Sequence, residues 1–492
     1  MVFSTLIFLT VFLPLTLCAC WGLAAMLSLL GRGSVRTWLP VNALLLLASL
    51  FFYFWGEGRG VLWLLASILA NDLLARLLHH TERPAARKAI LALAIAANLA
   101  FLGWFKYAGF LATSLNLLPG LSLPVPDIAL PLGISFYTFQ AMSYVIDVYR
   151  RDVVPARTPI DFGAYLTMFP QLVAGPIVRY SDVAAQLHAR SAPIDRVASG
   201  LRRFLQGLVK KVLLANTLAE FADAAWAFAD QGAVLPPILA WAALLAYALQ
   251  IYYDFSGYSD MAIGIGRMLG FDFPENFRHP YVATSVRDFW RRWHISLSTW
   301  FRDYLYIPLG GNRKGLFRTC LNSLIVFALC GLWHGASAMF LLWGLWHGLF
   351  LTIERLLSKR KLPSLPLLGH LYTAFVFLFG WLLFRSETLA SMGVFLRSLL
   401  GLSPVTATTR TLFIDASPKF LIALLFGLFF ALRDTSTPAS SAGNPPFCAS
   451  RLPFCASRLR RVLSSVLLSL LALLSLLLLV GGSYNPFIYF RF

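Results

Sequence analysis

The amino-acid sequence predicts an all-α polytopic integral membrane protein with about 11–13 transmembrane helices and further re-entrant and interfacial helices. Of its 492 residues, 58% are hydrophobic and 13% are charged, and the mean hydropathy is +0.71. A soluble chain of this length would need far more polar surface. The apolar stretches are as long as helices and lack the two-residue alternation of outer-membrane β-strands, which excludes a β-barrel.

Apolar segments of spanning length follow one another along the chain, and we expect them to form one membrane domain over residues 1–492. The first segment has no basic stretch before it, so it is predicted to be a transmembrane helix and not a cleaved signal peptide. Several segments contain Pro or Gly in their interiors, which is typical of broken or re-entrant helices. The segments are 5–30, 38–56, 60–77, 88–111, 128–149, 160–178, 198–218, 234–253, 317–333, 337–353, 369–385, 418–432 and 463–481.

The positions of Lys and Arg predict the orientation of these segments. The linkers after the first, third and fifth segments carry unbalanced basic residues, whereas the second and fourth linkers do not. Because basic loops remain in the cytoplasm, the N-terminus is predicted to lie outside, and so is the C-terminus. Such loops explain most of the net charge of +19. The alternative is that part of this charge attracts anionic headgroups, a nucleotide thioester or a polyanionic glycan. The basic residues of these linkers are Arg32, Arg36, Arg76, Arg83, Arg87, Lys88, Arg150 and Arg151.

Two features of the chain carry no predicted chemistry. The six cysteines are not spaced as zinc or redox ligands, so no metal site is predicted. Residues 434–461 form a Pro-, Ser- and Ala-rich stretch in which PFCASRL occurs twice. Such a tandem copy is typical of a variable loop that tolerates insertion.

The segment 287–314 combines basic and aromatic residues. Its aromatic side chains recur every three or four residues, which predicts a single helix with an aromatic stripe. The arginines fall on other faces, so this helix is expected to lie in the plane of the membrane interface. His294 falls on the side of the stripe and faces the interior, where it is either a structural hydrogen-bonding residue or a catalytic group. The stripe consists of Trp290, Trp293, Leu297, Trp300 and Tyr304, and the arginines are Arg291, Arg292 and Arg302.

His334 and His347 each lie in a Leu-Trp-His-Gly motif within an apolar run. Ionisable side chains at membrane depth are costly, so both are candidate functional residues. On one straight helix they would be separated by about 220° and roughly 20 Å, so they reach one reaction centre only if the chain breaks between them. Gly335 is suited to such a break. A neutral imidazole is a natural general base near neutral pH, and the alternative is a packed histidine bonded to a backbone carbonyl.

The segment 252–281 places two carboxylates, Asp254 and Asp260, at the end of an apolar helix, together with Ser256 and Tyr258. The carboxylates either position a substrate or form ion pairs, and the candidate partners are Arg287, Arg291 and Arg292.

Glycine and proline give two further predictions. Gly264, Gly266 and Gly270 do not follow a predicted strand, so they indicate close packing between helices and not a dinucleotide-binding turn. The stretch 168–180 contains Pro170, Gly175 and Pro176, which break any regular helix. It is predicted to be a re-entrant loop that lines a cavity.

Several long motifs resemble those of the membrane-bound O-acyltransferase superfamily. Within it, the similarity is greatest to the bacterial branch of alginate and peptidoglycan O-acetyltransferase membrane subunits. The terminal SYNPFIYFRF also resembles this branch, whereas residues 434–461 do not. The motifs lie in 131–150, 168–180, 252–271, 288–313 and 332–348.

This resemblance implies a helical bundle around a central funnel with a pair of histidines at its base. His334 corresponds to the catalytic histidine of the family and is expected to act as general base on an acceptor hydroxyl, which attacks an acetyl thioester. His294 corresponds to the second polar catalytic position and is expected to orient the thioester carbonyl or to stabilise the developing oxyanion.

The resemblance also implies the partners of the reaction. The donor is expected to be acetyl-CoA or another cytoplasmic thioester, with no bound cofactor. The acceptor is expected to be an extracytoplasmic polysaccharide such as alginate, reached directly or through a partner protein outside a bacterial inner membrane. Candidate contacts to the donor or substrate are Asp254, Ser256, Tyr258, Asp260, Trp290, Arg291, Arg302, Asp303, Asn312 and His347.

Two alternatives remain open at the level of sequence. One is a D-alanyl transferase that takes its acyl group from a carrier protein and uses the same histidines. The other is a transporter that moves an acyl group without making bonds, because broken helices and intramembrane polar residues also suit transporters.

Overall fold

The computed structural model describes residues 3–30, 38–357, 365–406, 417–433, 454–482 and 484–486, with backbone only for 454–461. Within these ranges every regular element is a helix, which confirms the predicted all-α class. The predicted basic linker with Arg32 and Arg36 lies outside the described residues. The same is true of the predicted variable loop up to residue 453, whereas the last helix begins within the end of that loop.

The first half of the chain contains long helices followed by a group of short ones. A π-helical turn at Phe8–Phe12 precedes α1, and a π-helical segment at Lys210–Ala215 joins α9 to α10. The helices are α1 (Leu13–Leu29), α2 (Trp38–Glu57), α3 (Val61–His80), α4 (Pro84–Leu115), α5 (Ile134–Arg150), α6 (Pro159–Thr167), α7 (Phe169–Leu172), α8 (Tyr180–His188), α9 (Ile194–Val209) and α10 (Asn216–Asp230).

The second half begins with the longest buried helix, α11. A π-helical segment at Arg302–Tyr306 follows α13. The helices are α11 (Pro237–Met268), α12 (Val286–Arg292), α13 (Ile295–Phe301), α14 (Gly315–His334), α15 (Ala338–Leu357), α16 (Pro366–Arg385), α17 (Leu389–Leu400), α18 (Pro418–Leu432) and α19 (Phe454–Val480).

Among the described residues, nine stretches are long and apolar enough to cross a membrane. They comprise α1 with the turn before it, α2 with α3, α4, α9 with α10, α11, α14, α15, α16, and α19 from Val462 onward. Helices α17 and α18 are apolar but shorter. The chain is therefore a multi-pass membrane protein.

Two predicted spanning segments form shorter helices than expected. In segment 128–149 the helix begins only at Ile134, after a turn in which Gly133 has a φ of +70°. Segment 160–178 is divided into α6 and α7 and then continues without regular structure. A Cβ atom on Gly175 would lie 2.6 Å from Cα of Gln171, so this turn requires glycine. The irregular backbone here is buried within the protein, as the re-entrant prediction for 168–180 requires.

Helix α11 lies at the centre of the bundle, and α9 packs closely along it. A Cβ atom on Gly264 would lie 2.6 Å from the carbonyl oxygen of Gly200, and one on Gly257 would lie 2.8 Å from that of Gly207. These contacts confirm the predicted packing role of Gly264, because only small residues let two helix backbones approach so closely.

Residues from opposite ends of the chain meet beside this helix pair. The hydroxyl of Ser4 donates to Oδ1 of Asn485 (3.2 Å), and Nδ2 of Asn485 donates to the carbonyl of Ser4 (3.1 Å). Asn216 also donates to Oδ1 of Asn485, and the ammonium of Lys211 donates to the carbonyl of Pro486. These bonds give the buried polar groups their partners.

The two ends of the bundle differ in charge. One end, which we call the basic end, carries arginines that bond to the carbonyls and carboxylates of neighbouring helices. The opposite end, the vestibule end, surrounds the end of α14 and carries both signs of charge. The basic end includes Arg76, Arg87, Arg150, Arg179 and Arg190, and the vestibule end includes Asp223, Asp230, Arg385 and Glu387.

Candidate active site

His294 lies at a break between α12 and α13. Its φ is +42°, a left-handed conformation that costs a non-glycine residue about 1 kcal/mol or more. The break shows that the predicted single helix over this segment is wrong. The segment around Asn276 causes it, because Arg278 N–H donates to the carbonyl of Arg292 and Ile295 N–H donates to that of Asn276. Backbone groups that would continue the helix are bonded elsewhere.

The predicted aromatic stripe is buried in the protein. Trp293 stacks on Phe289, with ring centroids 5.7 Å apart, and Trp300 stacks on Phe139 at 3.8 Å. The break after α12 turns the two halves of the stripe toward different neighbours. The stripe therefore packs against other parts of the protein, and the placement of this segment in the plane of the membrane interface stays a prediction.

Asn276 determines which nitrogen of His294 carries the proton. Its Oδ1 accepts from the backbone N–H and the hydroxyl of Ser296 (3.3 and 2.9 Å), so this atom is an oxygen with lone pairs. Nδ1 of His294 lies 3.1 Å from the same oxygen and must donate to it. Nε2 is then an acceptor. It is buried and has no hydrogen-bond partner within the described part of the chain.

His334 is the last residue of α14. Gly335 is extended, and α15 begins three residues later at Ala338. The predicted break at Gly335 is confirmed. His334 keeps 7% of its surface accessible, whereas His294 and His347 keep 1% each. Of the three histidines it is therefore the one with most access to a mobile substrate.

The rings of Trp333 bring His294 and His334 into one cluster. The ring centroid of Trp333 lies 6.1 Å from that of His294 and 4.9 Å from that of His334. The indole Nε1 of Trp333 is buried without an acceptor among the described residues. The cluster thus contains an unused donor on Trp333 and an unused acceptor on His294.

His347 lies one aromatic ring away from this cluster. The ring of Trp343 is 5.1 Å from both His334 and His347. Nε1 of Trp290 donates to Nδ1 of His347 across 3.4 Å, and Nε2 of His347 packs against Gly380. Trp290 and His347, both predicted to contact substrate, bond to each other, and they support Trp343 behind His334.

The carboxylates of α11 form ion pairs, but with partners that were not predicted. Asp254 pairs with Lys211 at 2.8 Å, and Asp260 pairs with Arg203 at 2.7 Å and with Lys210 at 2.6 Å. The predicted partners Arg287, Arg291 and Arg292 were wrong. Helix α9 and the π-helical segment after it pack on this face of α11 and provide the nearer cations.

Ser256 and Tyr258 point into the same buried core. Tyr258 is 1% exposed and stacks on Phe3 at 4.3 Å. Ser256 is also 1% exposed. These side chains lie inside the bundle and do not line either of the cavities at its two ends.

A cavity of about 660 Å³ opens at the vestibule end. Phe384 belongs to its wall, and the ring of Phe384 is 5.2 Å from that of His334. Arg385 pairs with Asp223 at 2.9 Å on the same wall. The cavity is therefore polar at its mouth, and Phe384 in its wall contacts the candidate catalytic histidine. Its lining includes Asp223, Ala227, Asp230, Tyr247, Ser337, Phe340, Phe384, Arg385, Ser386 and Glu387.

A second cavity of about 540 Å³ opens at the basic end. Asp303 lies in its wall and accepts from Arg179 at 2.7 Å and from Arg302 at 2.6 Å. Arg302 is largely exposed, as are Arg291 and Asn312. Of the predicted donor contacts, Asp303 alone lines this cavity, together with Asp147, Arg150, Asp152, Arg179, Ser181, Tyr304, Ile307 and Pro308.

A column of aromatic rings runs from the basic-end cavity to the histidines. Tyr304 in the cavity wall is 5.3 Å from Trp300, Trp300 is 3.8 Å from Phe139, and Phe139 is 5.5 Å from Trp333. The candidate site is thus linked by contact to both cavities.

Sequence reasoning missed Asn276 and Ser296, which orient His294, and also Lys106 of α4. Asn276 lies 18 residues before His294 and reaches it only through the fold. Nothing in its local sequence distinguishes it from any other polar residue of a loop.

Similarity to known proteins agrees with this geometry. Residues 156–392 match the membrane-bound O-acyltransferase family. The whole chain is 40% identical to a probable alginate O-acetylase from Pseudomonas putida, over 100% of both proteins. It is 37% identical to a peptidoglycan O-acetyltransferase from Helicobacter pylori, over 74% of each. A teichoic acid D-alanyltransferase from Bacillus subtilis is 26% identical over 42% of this chain and 55% of that protein.

Proposed function

This chain belongs to the membrane-bound O-acyltransferase family and is a membrane O-acetyltransferase, and we propose that it passes acetyl groups from a cytoplasmic thioester toward hydroxyls of an extracytoplasmic polysaccharide. The observation that carries this proposal is the position of His334. Its ring contacts Phe384 in the wall of the vestibule-end cavity, and it belongs to a cluster joined by aromatic contacts to the basic-end cavity.

The direction of transfer follows from charge. Basic residues near the ends of membrane helices favour the cytoplasmic side. The basic end therefore faces the cytoplasm, where acetyl-CoA is available, and the vestibule faces outward. The relatives named after alginate and peptidoglycan support a polysaccharide acceptor, reached directly or through an extracytoplasmic acetyltransferase partner.

In the proposed reaction His334 is the general base. Its ring takes the proton of the acceptor hydroxyl while the oxygen attacks the thioester carbonyl carbon. The carbon–sulfur bond then breaks, the new ester keeps the acetyl group, and the thiolate leaves and takes up a proton. General-base assistance of this kind contributes about a hundred- to ten-thousand-fold in rate.

His294 and Trp333 provide the other two functions of the site, a hydrogen-bond acceptor and a hydrogen-bond donor. Because Nε2 of His294 is an acceptor, it is suited to receive a hydrogen bond from the incoming hydroxyl or the leaving thiol. A donor is needed for the oxyanion, and the unused indole N–H of Trp333 provides one beside both histidines. Loss of one such donor costs about a hundred- to a thousand-fold in rate. The sequence predicted that His294 orients the thioester carbonyl or stabilises the oxyanion, and in the present proposal Trp333 takes the second of these roles.

The roles of the two histidines are tested in cells whose only copy is wild type, His334→Ala, His294→Ala or His80→Ala. His80 is an exposed histidine at the end of α3 and serves as the control. With membrane levels matched by immunoblot, we expect polysaccharide O-acetyl content to be lost in His334→Ala, strongly reduced in His294→Ala and unchanged in His80→Ala. Wild-type acetylation in His334→Ala would refute the proposed role of His334.

The direction is tested with sealed membrane vesicles of both orientations. Acetyl-CoA labelled in its acetyl group is added to the medium. We expect incorporation into polymer when the cytoplasmic face is exposed and none in right-side-out vesicles. The opposite pattern would reverse the assignment of the two ends.

The D-alanyl alternative predicts a different product from the same histidines. The match to the D-alanyltransferase covers less of the chain at lower identity than the matches to O-acetyltransferases. Analysis of the ester-linked groups released from the polymer by mild base distinguishes acetate from D-alanine.

A further inference from the structure

Two consecutive residues of α4 hold the C-terminal end of α14. The ammonium of Lys106 donates to the carbonyls of Trp333 (2.5 Å) and His334 (3.1 Å). The hydroxyl of Tyr107 donates to the carbonyl of Leu332 (2.7 Å). Carbonyls in the last turn of a helix have no donors within the helix, so they need outside partners. We call these three bonds the α4 clamp, and it fixes the turn that carries His334.

Lys106 has no carboxylate partner in the part of the chain that the structure describes. Its remaining contacts are the hydroxyl of Ser135 at 3.3 Å and the ring of Trp333, whose centroid lies 6.0 Å away. An unpaired cation in a membrane helix is costly. A clamp made by a neutral side chain would avoid this cost, so the charge itself needs an explanation.

The dipole of α14 explains why a charged side chain is placed here. A helix end with unpaired carbonyls carries about half a negative charge. This end points into the acyl-transfer site, where it would repel the oxyanion of the tetrahedral intermediate. The ammonium of Lys106 lies directly on the carbonyls of Trp333 and His334. It opposes the negative end of the helix at the point where the reaction develops negative charge.

We propose that Lys106 is a positioning residue of the acyl-transfer site, which holds His334 through the α14 backbone and cancels the negative helix end that would oppose the oxyanion. The inference rests on the proposed role of His334. It assigns to Lys106 an effect on the chemical step and none on donor binding, because Lys106 lines neither of the two end cavities.

Three substitutions separate the clamp from the charge. Lys106→Arg keeps donors and charge, Lys106→Gln keeps donors without charge, and Lys106→Met has neither. Tyr107→Phe removes the third bond of the clamp and leaves the charge in place. Lys88→Met is the matched control, because Lys88 is an exposed lysine on the same helix.

The measurement uses inside-out membrane vesicles and labelled acetyl-CoA, with kcat and KM per immunodetected protein. We expect kcat to fall about a hundred- to a thousand-fold in Lys106→Met, while KM for acetyl-CoA stays within about twofold. Lys106→Gln should be intermediate, Lys106→Arg should lie within about tenfold of wild type, and Tyr107→Phe should lose less than about tenfold. Lys88→Met should be unchanged.

Thermal unfolding in detergent provides the check on folding. If Lys106→Met is too unstable to assay, the comparison of Lys106→Gln with Lys106→Arg decides, because both keep donors. Equal kcat in these two variants would overturn the role of charge. Wild-type kcat in Lys106→Met, together with an inactive His334→Ala, would overturn this inference and leave the proposed function intact. An active His334→Ala would instead refute the proposed function.

Discussion

Nδ1 of His294 donates a hydrogen bond to the side-chain oxygen of Asn276 across 3.1 Å, and this bond leaves Nε2 as the acceptor of the ring. The same oxygen receives two bonds from Ser296, so it is held in place before any substrate arrives. A backbone N–H of the irregular segment, that of Ile177, donates in turn to the hydroxyl of Ser296. The tautomer of His294 is therefore set by a fixed polar network.

Replacing Asn276 by Ala should release this tautomer. We expect kcat to fall about ten- to a hundred-fold, since the ring then loses the bond that orients its acceptor nitrogen. Ser259→Ala is the control, because the hydroxyl of Ser259 accepts from the amide nitrogen of Asn276 and leaves the amide oxygen to His294 and Ser296. Rates are measured with labelled acetyl-CoA in vesicles. If both variants lose activity equally, the network acts through stability and not through the tautomer.

Substitution of Gly331 tests whether the close contact between α14 and α15 is needed for stability and for the position of His334. A Cβ atom there would overlap the carbonyl of Phe340, one turn before His334. Gly331→Ala should push the helices apart, which costs about 1–3 kcal/mol of stability and displaces His334 from its contact with Phe384 of the cavity wall. Gly393→Ala in α17 meets nothing within 4 Å and should be neutral or slightly stabilising. Unfolding temperature and acetyl transfer are measured for both, and an active, stable Gly331→Ala would contradict the packing argument.

The Lys211–Asp254 pair should be structural. Both side chains are buried, at 2% and 1% exposure. Removing one partner leaves a buried charge, so we expect Asp254→Asn to lower stability by about 3–5 kcal/mol. The double variant Lys211→Met with Asp254→Leu should recover most of that loss. Activity per folded molecule should change little in the double variant. A complete loss of activity in the double variant would instead indicate that Asp254 contacts the substrate.

Asp147 gives a pH dependence at the basic end. It lies in α5, outside the nine candidate spans, and burial raises its pKa to about 6, against opposing effects of the Tyr304 hydroxyl, Arg179 and Arg150. The folded protein therefore binds this proton more tightly than the unfolded chain does, and stability is lost as the pH rises from about 4 through 6.

Substitution of Asp147 by Asn should remove this dependence. The variant should unfold at a higher temperature than wild type at pH 7.5, and the difference should shrink toward pH 5 and disappear near pH 4. Asp152→Asn, at an exposed carboxylate of the same cavity, is the control. A constant difference between wild type and Asp147→Asn across this range would refute the assignment.

The membrane class and the break at Gly335 were predictable because both depend on local sequence. Long apolar segments dictate spanning helices, and a glycine after His334 marks a helix end. The break at His294 was not predictable. Residues 287–304 have a continuous helical pattern, and the interruption comes from Asn276, which only the fold brings near.

The ion-pair partners of the α11 carboxylates were also not predictable from local sequence. Ion pairing was one of the two alternatives for Asp254 and Asp260, but the choice of Lys211, Lys210 and Arg203 depends on how α9 packs along α11. Helix periodicity in one segment contains no information about which other helix lies beside it. The role of Lys106 was hidden for the same reason, since a lone lysine in an apolar helix gives no sign of the carbonyls it meets.

The bonds between Ser4 and Asn485 join positions 481 residues apart in the chain. Asn485 is synthesised 481 residues after Ser4, so the first turn of the protein lacks this partner while the chain between them is made and inserted. Until then the polar groups of Ser4, Lys211 and Asn216 lack the partners that Asn485 and Pro486 provide. This contact therefore closes late in assembly, and a nascent chain stalled before residue 485 would leave unsatisfied the polar groups that Asn485 and Pro486 bond.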